Sequence, residues 1–331
     1  MSKLKFLRKI SNSEKHLIDY ANLKDNLFPH QDLKTNKNSI IKIINFKDKG
    51  LPILFPPGLV FFNYEKQSQL ILDKTIIMKK IFSTNNYKYL PFQNFIIHGD
   101  NYFTKVKVKK KYHNIIKKIT AFNKSSLNKI KKVNNKFKNT CAFQTRNIPH
   151  LGHEKIIESL LNKFDHVVIN PLIGPKKEGD AKFEILEKAY KYIIDNKFKN
   201  KVSYIPIIAN MFYAGPREAI HHANIRKNLG FKNFVIGRDH AGAFNNYDPM
   251  GAYRLVTQHK KVIKIHIERL TGAYYCQDCD IIRVDFNCKH NNFKNISGTE
   301  FRKKLKMKKM FIYADNKLQH KLHKIKNKIF V

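Results

Sequence analysis

The stretch from Gln144 to His153 concentrates side chains that could bind an anion. It contains two imidazoles, one guanidinium and three further side chains that form hydrogen bonds. A short apolar run precedes it and apolar residues at helical spacing follow it, which predicts a turn between a strand and a helix. Free backbone N–H groups and the positive end of a helix dipole favour phosphate oxygens at such a turn. The pattern therefore predicts an anion site.

The two histidines of this stretch admit other interpretations. His150 and His153 lie three positions apart, so they share one face of the first helical turn. Histidines in that arrangement could equally form a solvated face, or belong to the core and bond to the backbone. The spacing alone leaves these alternatives open.

Three more polar blocks follow along the chain. The first runs from Tyr213 to His222, the second from Gly237 to Gly242, and the third is 296–299 with Arg302 three residues later. Together with Gln-Thr-Arg-Asn at 144–147 and the H-x-G-H spacing at 150–153, they resemble the ATP sulfurylase (sulfate adenylyltransferase) family. H-x-G-H is the phosphate-binding signature of the nucleotidyltransferase superfamily. The resemblance covers roughly residues 138–305.

The resemblance implies a role for each of these residues. Those implied at the reacting centre are Thr145, Arg146, Asn147, His150 and His153. Those implied for sulfate are Gln144, Arg146, Arg238 and the backbone N–H of Ala241. Those implied for the nucleotide are Asn147, His150, His153, Gly237, Asp239, His240, Ser297 and Thr299.

The implied activity is the reversible reaction of ATP with sulfate to give adenosine 5'-phosphosulfate and pyrophosphate. Sulfate is fully ionised at neutral pH, so its in-line attack on the α-phosphorus needs no general base. Aligning two anions is the difficulty, which arginine suits because its guanidinium binds oxyanions through two hydrogen bonds and stays charged. The two histidines would neutralise the departing pyrophosphate. Mg²⁺ is expected to arrive with ATP, and either sulfate assimilation or ATP synthesis in a sulfur oxidiser fits.

Three of the four cysteines form a possible metal site with a histidine. Cys276, Cys279, Cys288 and His290 have the spacing C-x2-C-x8-C-x-H, which matches tetrahedral zinc. A disulfide is the alternative, which a reducing compartment disfavours and which would leave one cysteine unpaired. The resemblance supports a structural Zn²⁺, since many bacterial and archaeal members of the family carry one in this region.

From about residue 138 the sequence alternates between short apolar runs and amphipathic segments, which predicts a parallel α/β sheet. The predicted strands are Thr140–Phe143, His166–Asn170, Val202–Ile208, Phe234–Gly237 and Val262–Ile267. The predicted helices are Gly152–Phe164, Ala181–Ile194, Pro216–Leu229, Gly251–Thr257 and Thr299–Met307. Because ligands bind at the carboxyl ends of strands in open parallel sheets, we expect the polar blocks to meet in one crevice.

Residues 1–137 lack this alternation and show β-like runs at Ser39–Asn45, Leu59–Tyr64 and Leu70–Ile81. We interpret the lysine-rich stretches at 105–111 and 129–133 as strand edges and a linker. In the resembled family the N-terminal domain is a PUA-like β-barrel. The expected fold is therefore α/β, with a PUA-like, mostly β domain at 1–137, a Rossmann-like nucleotidyltransferase domain at 138–268 and a small zinc-containing subdomain at 269–331.

The chain of 331 residues has 64 Lys and Arg against 25 Asp and Glu, a formal net charge of +39. Such a charge could indicate a nucleic-acid partner. The lysines are spread along the chain with abundant Asn and Ile, as an AT-rich coding sequence would produce, so we expect no specific nucleic acid. The alternatives are an RNA-binding protein that uses the N-terminal domain and a nucleotidyltransferase with another acceptor.

The chain shows no apolar run long enough for a membrane span and no secretory signal. We therefore expect a cytoplasmic protein that forms a homo-oligomer and has no membrane partner.

Two of the polar motifs have two interpretations each. The residues from Ser297 to Glu300 fit a helix capping box and a phosphate contact, and Arg217, Glu218, His221 and His222 fit a charged helix face or a wall of the site. Phe212 stands where family members usually have arginine, a change that could weaken anion binding.

Overall fold

The computed structural model describes most of the chain from residue 110 onward and short stretches before it. The described residues are 17–18, 21–22, 25, 27, 69–71, 96–98, 110–176, 179–211, 216–238, 240, 248–284, 288–325 and 329–331. Two short strands, β1 (Gln69–Ile71) and β2 (Ile96–His98), pair antiparallel. The β-like runs predicted at 39–45 and 59–64 lie outside the described residues, as does most of the run at 70–81. Among the described helices, none combines the length and apolar composition that a membrane crossing needs.

A long helix precedes the central sheet. A 3₁₀ turn (Lys110–Tyr112) leads into α1 (His113–Lys136), which buries positions 116, 119, 123, 126 and 130 at helical spacing. The predicted linker at 129–133 is therefore wrong, because the lysines take the solvent side of an amphipathic helix. On the buried side, Asn123 Nδ2 donates to the carbonyl of Ile208 at 2.9 Å and Ser126 Oγ to that of Pro206 at 2.7 Å. These bonds hold α1 against the segment that follows the sheet's edge strand.

A parallel sheet of five strands forms the centre of the described fold. Its strands are β3 (Thr140–Phe143), β4 (His166–Ile169), β5 (Val202–Tyr204), β6 (Asn233–Ile236) and β7 (His266–Arg269). They lie in the order β5-β4-β3-β6-β7. Strands β3, β4 and β6 are buried along their whole length, as is usual for parallel strands covered on both faces. The predicted α/β fold with a parallel sheet is confirmed.

Helices connect the strands of this sheet. They are α2 (Leu151–Leu161), α3 (Phe183–Lys197), α4 (Pro216–Asn228), α5 (Gly251–Gln258) and α6 (Lys260–Ile263). The strand predicted at Val262–Ile267 is partly wrong, because its first two residues end α6 and β7 begins only at His266. Lys264 lies between them in a left-handed conformation (φ 54°). A short apolar run fits either a helix or a strand, and only packing decides between them.

The strand order creates a crevice at one edge of the sheet. The chain passes from β3 to β4 and β5 on one side, and then returns to place β6 and β7 on the other. The carboxyl ends of β3 and β6 therefore flank the point where the strand order reverses, which is where open α/β sheets bind ligands. The turn at 144–150 and the turn after Ile236 both emerge there.

A small antiparallel sheet and two helices follow the central sheet. Strands β8 (Ala273–Cys276), β9 (Ile281–Val284) and β10 (Phe293–Asn295) lie in the order β10-β8-β9. Helix α7 (Gly298–Lys306) matches the predicted helix at 299–307 to within one residue, and α8 (Asn316–His323) comes later. Residues of α7 and α8 share one hydrophobic core cluster with β3, β4 and α3. The predicted division into three domains stays a prediction.

Candidate active site

A cavity of about 360 Å³ opens at the carboxyl ends of β3 and β6. Its walls come from the turns after these two strands, from the start of β8 and from the segment that leads into α7. The predicted site residues that line it are Gln144, Thr145, Arg146, Asn147, His150, His153, Gly237, Arg238, His240, Ser297 and Thr299. Asp239 and Ala241 lie outside the described residues. The expected meeting in one crevice is confirmed for the blocks at 144–153, 237–240 and 296–299, whereas no described residue of the block at 213–222 lines this cavity. The individual roles of the residues stay predictions.

The hydroxyl of Thr145 lies at the centre of the hydrogen bonds in the turn after β3. Its Oγ1 accepts a hydrogen bond from the backbone N–H of Asn147 at 3.2 Å and one from the hydroxyl of Tyr190 at 3.4 Å. His153 Nε2 lies 3.4 Å from the same oxygen. Because Tyr190 belongs to α3 and His153 to α2, this one hydroxyl ties the turn to two helices. The buried Thr145 thus fixes where its polar neighbours point.

The two histidines of the turn lie side by side beneath the cavity. His150 is the residue before α2, His153 lies in its first turn, and their ring centroids are 4.0 Å apart. Both are less than a tenth exposed (6% and 8%), so the interpretation as a solvated face is wrong. Burial lowers the pKa of His150 well below its ordinary value and that of His153 to about 4. Neither Nδ1 has a hydrogen-bond partner among the described residues, as expected of donors or acceptors kept for a ligand.

Gly152 explains the third position of the H-x-G-H spacing. A Cβ at this position would lie 3.0 Å from Cε1 and Nδ1 of His150 and 3.1 Å from the Cβ of Ala273. Such contacts are tighter than most Cβ contacts, so the His150 ring would have to shift by a few tenths of an ångström. Glycine therefore lets the His150 ring lie between α2 and the start of β8 without this shift.

Two arginines approach the cavity around one buried carboxylate. Asp180 Oδ1 lies 4.0 Å from Arg146 Nη1 and 3.9 Å from Arg302 Nη1, and the Asp180 side chain is 2% exposed. Arg302 also donates to Asn147 Oδ1 at 3.1 Å and to Thr299 Oγ1 at 3.0 Å. Arg302 thereby joins the turn after β3 to α7. The arrangement places two guanidinium groups beside each other, which their mutual repulsion would oppose without Asp180.

The block after β6 meets the cavity beside α4. Gly237, Arg238 and His240 line the cavity, and Arg238 is exposed to solvent. His222 of α4 bonds through Nδ1 to His240 Nε2 at 3.0 Å. Glu218, His221 and His222 are at most 2% exposed, so the interpretation of this helix surface as a charged solvent face is wrong for these three. Phe212 and the side chain of Arg217 lie outside the described structure.

The block at 296–299 begins α7 and also lines the cavity. Ser297 Oγ accepts hydrogen bonds from the backbone N–H groups of Thr299 at 3.2 Å and Glu300 at 3.4 Å, which confirms the predicted cap. A Cβ on Gly298 would lie 3.1 Å from the side-chain amide of Asn147, so glycine allows α7 to approach the turn after β3. The cap and a ligand contact are compatible, since Ser297 and Thr299 both line the cavity.

Comparison with known proteins decides the family. A family model described as ATP-sulfurylase matches residues 123–311, more than half of the chain. The chain belongs to the ATP-sulfurylase family. The resemblance stated from the motifs is thereby confirmed.

Individual relatives match over part of their length. The sulfate adenylyltransferase of Pyrococcus abyssi is 41% identical over 169 residues, which are 50% of this chain and 44% of that protein. The enzyme of the same name from Carboxydothermus hydrogenoformans is 32% identical over 242 residues, 71% of this chain and 63% of that protein. The chain thus spans about half the length of the first of these relatives. A hexameric APS kinase from Thiobacillus denitrificans has a TM-score of 0.48 and 14% identity, covering 70% of this chain and 44% of that one.

This member of the ATP-sulfurylase family also brings its four predicted metal ligands together. The ligand atoms of Cys276, Cys279, Cys288 and His290 all lie within 4.8 Å of one another. The Sγ atoms of Cys276 and Cys279 are 3.6 and 3.5 Å from that of Cys288, and His290 Nδ1 is 3.1 Å from Cys279 Sγ. These sulfur distances are far above the ~2.05 Å of a disulfide, and all three cysteines are free. They match the edges of a tetrahedron of thiolates about 2.3 Å from a central metal.

Sequence reasoning missed some residues in and around the candidate site. Asp180 had no signal, because a lone acidic residue in a loop has no periodicity or motif. Arg302 was noted three residues after the block at 296–299, but no role was predicted for it. Tyr190 was interpreted only as part of a helix, although its hydroxyl bonds to Thr145. An alignment of relatives would be the signal that reveals such positions.

Proposed function

We propose that the chain catalyses the reversible reaction of ATP with sulfate to give adenosine 5'-phosphosulfate and pyrophosphate. The observation that carries the proposal is the cavity at the carboxyl ends of β3 and β6, which gathers the three arginines Arg146, Arg238 and Arg302 beside two buried imidazoles. Its volume of about 360 Å³ lies within the usual range of small-molecule sites. Membership of the ATP-sulfurylase family supports the same substrates.

In this proposal, sulfate binds at the turn after β3 and beside the turn after β6. The side chains of Gln144, Arg146 and Arg238 hold its oxygens, together with the backbone N–H of Ala241. One sulfate oxygen forms a bond to the α-phosphorus while the bond from that phosphorus to its bridging oxygen breaks. Pyrophosphate leaves with the bridging oxygen, and no proton changes place. Thr145, Arg146 and Asn147 align the groups and stabilise the charge that develops.

The nucleotide occupies the remainder of the cavity. Asn147, His150 and His153 contact its phosphates beside the N-terminus of α2, where the helix dipole favours anions. The other proposed contacts are Gly237, Asp239, His240, Ser297 and Thr299. Both buried histidines are neutral in the free protein, so a bound polyphosphate must raise the pKa of each before it carries a charge.

Mg²⁺ enters this proposal as part of the nucleotide substrate. Of the described residues that line the cavity, none has a carboxylate. Mg²⁺ prefers oxygen ligands and usually keeps several waters. In this site the phosphate oxygens of ATP would therefore coordinate it, without protein ligands. The donor set fits a metal–nucleotide complex rather than a metal site made by protein ligands.

The cysteine cluster would hold a structural Zn²⁺. Three thiolates and one imidazole fill the four positions of tetrahedral zinc and leave no position for a substrate. Cys276 ends β8, whose first residues Ala273 and Tyr274 line the cavity. A metal here would therefore stabilise one wall of the site.

The remaining features of the proposal concern organisation. We retain the division into a PUA-like domain at 1–137, a nucleotidyltransferase domain at 138–268 and a zinc-containing subdomain at 269–331. A cytoplasmic homo-oligomer without a specific nucleic-acid partner is part of the same proposal. The chain's lysine excess would then reflect composition and raise the encounter rate with anionic substrates.

Sulfate-dependent exchange of labelled pyrophosphate into ATP tests the proposed activity directly. Label should enter ATP only when protein, sulfate and Mg²⁺ are all present. Exchange without sulfate would indicate another acceptor, and no exchange at any sulfate concentration would refute the function. The Arg146→Ala variant, with unchanged circular dichroism, is the control against a contaminating enzyme.

A further inference from the structure

The hydroxyl of Thr145 lies between three polar groups in the turn after β3. Its Oγ1 is 3.2 Å from the backbone nitrogen of Asn147, and 3.4 Å from both the Tyr190 hydroxyl and His153 Nε2. Thr145 and His153 line the cavity, whereas Tyr190 does not line it and is 0% exposed. Three groups therefore share one oxygen, and the number of bonds that this oxygen can form limits how their protons are arranged.

A hydroxyl oxygen accepts at most two hydrogen bonds and has one proton to donate. The backbone N–H of Asn147 can only donate, so it takes one of the two accepting places. If Tyr190 takes the second place, the proton of Thr145 goes to His153 Nε2. If His153 takes it instead, the proton of Thr145 goes to the Tyr190 oxygen.

The burial of Tyr190 decides between these two arrangements. Thr145 is the only hydrogen-bond partner of the Tyr190 hydroxyl among the described residues. In the second arrangement the Tyr190 proton would have no acceptor, and an unpaired hydroxyl proton in a fully buried place is costly. Tyr190 therefore donates to Thr145, and Thr145 donates to His153 Nε2.

The remaining proton of the His153 ring follows from this order. Burial lowers the pKa of His153 to about 4, so the ring carries one proton near neutral pH. Because Nε2 accepts from Thr145, that proton is on Nδ1, which has no partner among the described residues. His150, with its ring centroid 4.0 Å away, is also neutral and imposes no charge on the assignment. The donor that the His153 ring has left for a ligand is Nδ1–H.

We propose that Tyr190 is a positioning residue, which acts through the hydroxyl of Thr145 to hold His153 as the Nδ1–H tautomer. The consequence for the site rests on the proposed function. In this form the neutral ring donates a hydrogen bond to a phosphate oxygen without first taking up a proton. The opposite tautomer has an unprotonated Nδ1, which repels such an oxygen. Tyr190 thus prepares His153 for an anionic ligand before one is bound.

Nitrogen NMR of the free protein, labelled with ¹⁵N-histidine, tests the tautomer without any substrate. Protonated and unprotonated imidazole nitrogens have widely separated ¹⁵N shifts, and the His153→Gln spectrum identifies the His153 signals. We expect His153 to be protonated at Nδ1 only. Tyr190→Phe keeps the ring but frees one accepting place on Thr145, so His153 can then donate from Nε2. Both of its nitrogen shifts should move towards intermediate values.

Tyr204→Phe is the matched control. The Tyr204 ring stacks on that of Tyr190 with centroids 6.0 Å apart, and its buried hydroxyl has no hydrogen-bond partner among the described residues. This variant removes the same group from the same core and should leave the His153 signals unchanged. A wild-type His153 protonated at Nε2, or one unaffected by Tyr190→Phe, would overturn the proposal.

A second pair of variants tests the intermediate hydroxyl. Thr145→Val keeps the shape of the side chain but removes the oxygen, so His153 should lose its single tautomer. Thr145→Ser retains the hydroxyl and should preserve the tautomer. If Tyr190→Phe does not fold, this pair and the wild-type spectrum decide, and a tautomer unchanged in Thr145→Val would contradict the proposal.

Kinetics of the exchange reaction then test the consequence for catalysis. Tyr190→Phe should lower kcat by about tenfold, as expected when one hydrogen bond to a charged group is weakened. In a His153→Ala background the same change should have less than about a twofold effect, because a residue that acts only through His153 has nothing left to position. Equal losses in both backgrounds would show that Tyr190 merely supports the fold. A wild-type protein without sulfate-dependent exchange would refute the proposed function and leave the NMR result standing.

Discussion

At the scale of single residues, burial determines how the site histidines can act. His150 and His153 are neutral in the free protein, because desolvation lowers the pKa of each, most clearly to about 4 for His153. In the proposed reaction they would therefore act as hydrogen-bonding groups and would gain charge only as phosphates bind. Neither is needed as a base, since the proposed nucleophile carries no proton. Their contribution should be electrostatic.

His153→Ala should reduce kcat by roughly a hundred- to a thousandfold, the usual effect of about 2.7–4 kcal/mol lost from one transition-state contact. Added imidazole or a higher pH should not restore activity, because no proton transfer is lost with the ring. Rates of sulfate-dependent exchange with and without imidazole give the measurement. His266→Ala, at an exposed position on β7, is the control and should keep full activity. Rescue by imidazole would show that the histidine acts as a base.

Arg146→Ala should lower kcat by a similar factor and also raise the KM for sulfate, because the guanidinium would contact both the bound anion and the transition state. Arg146→Lys should recover only part of the loss, since an ammonium keeps the charge but not the two-pronged geometry. Competition by perchlorate, an unreactive tetrahedral anion, reports binding alone. Arg254→Ala removes an exposed arginine outside the cavity and should change neither constant. An unchanged perchlorate affinity in Arg146→Ala would exclude Arg146 from the anion site.

Asp180→Asn should raise the KM for sulfate by about tenfold. The reason is that Asp180 Oδ1 lies 4.0 Å from Arg146 Nη1 and 3.9 Å from Arg302 Nη1. Its negative charge therefore offsets the repulsion between the two guanidinium groups. Asp195→Asn, on the exposed side of α3, removes the same charge elsewhere and is the control. A normal KM in Asp180→Asn would mean that the two arginines hold their places without the carboxylate.

At the scale of elements, the small antiparallel sheet links the cluster of three cysteines and His290 to the candidate active-site cavity. Strand β8 begins at the cavity wall and ends at Cys276, and β10 pairs with it so that Phe293 lies opposite Cys276. The segment after β10 then supplies Ser297 and the start of α7. A metal held at one end of this sheet would therefore stabilise two walls of the cavity at the other.

Cys279→Ser should remove one of four metal ligands and lower the melting temperature. A loss of about 3 kcal/mol would correspond to roughly 6–12 °C in a domain of 150–250 residues. Metal analysis should find one zinc per wild-type chain and less in the variant, and surviving enzyme should keep nearly normal KM values. Asp278→Ser changes the neighbouring exposed turn residue and should retain the metal. A metal-free wild type of full stability would refute the zinc site.

At the scale of the whole molecule, buried neutral histidines couple stability to pH. Desolvation lowers the pKa of His153 to about 4 and that of His221 to about 3, and it lowers those of His150, His222 and His240 as well. In the unfolded chain, histidine takes up a proton near pH 6.5. Between these values the unfolded state binds more protons than the folded state, so stability falls as pH falls.

The free energy of unfolding should therefore decrease between about pH 6.5 and pH 4, by up to about 1.4 kcal/mol per pH unit for each such histidine. Chemical denaturation at closely spaced pH values measures this slope. His153→Gln should make the slope of stability against pH shallower by the contribution of one histidine. A wild-type stability that stays constant down to pH 4 would show that these rings are protonated in the folded protein.

Features encoded by neighbouring residues could be predicted from the sequence. The parallel α/β sheet, the turn from Gln144 to His153, the cap at Ser297 and the cysteine cluster all follow from short periodicities or contiguous motifs, and the ATP-sulfurylase family follows from their order along the chain. The helix at 113–136 was missed because its lysines hid the apolar positions on its other face. The start of β7 was misplaced because a short apolar run satisfies both helical and strand periods.

Contacts between distant segments were decided only by the tertiary structure. Asp180 meets Arg146 and Arg302, and His222 on α4 meets His240, because the strand order folds separate turns over the same edge of the sheet. The neutrality of the histidines is of the same kind, since a pKa depends on the burial that packing creates. Local sequence therefore determined which chemical groups are present, and the tertiary structure decided their partners and their charges, because both depend on neighbours far away along the chain.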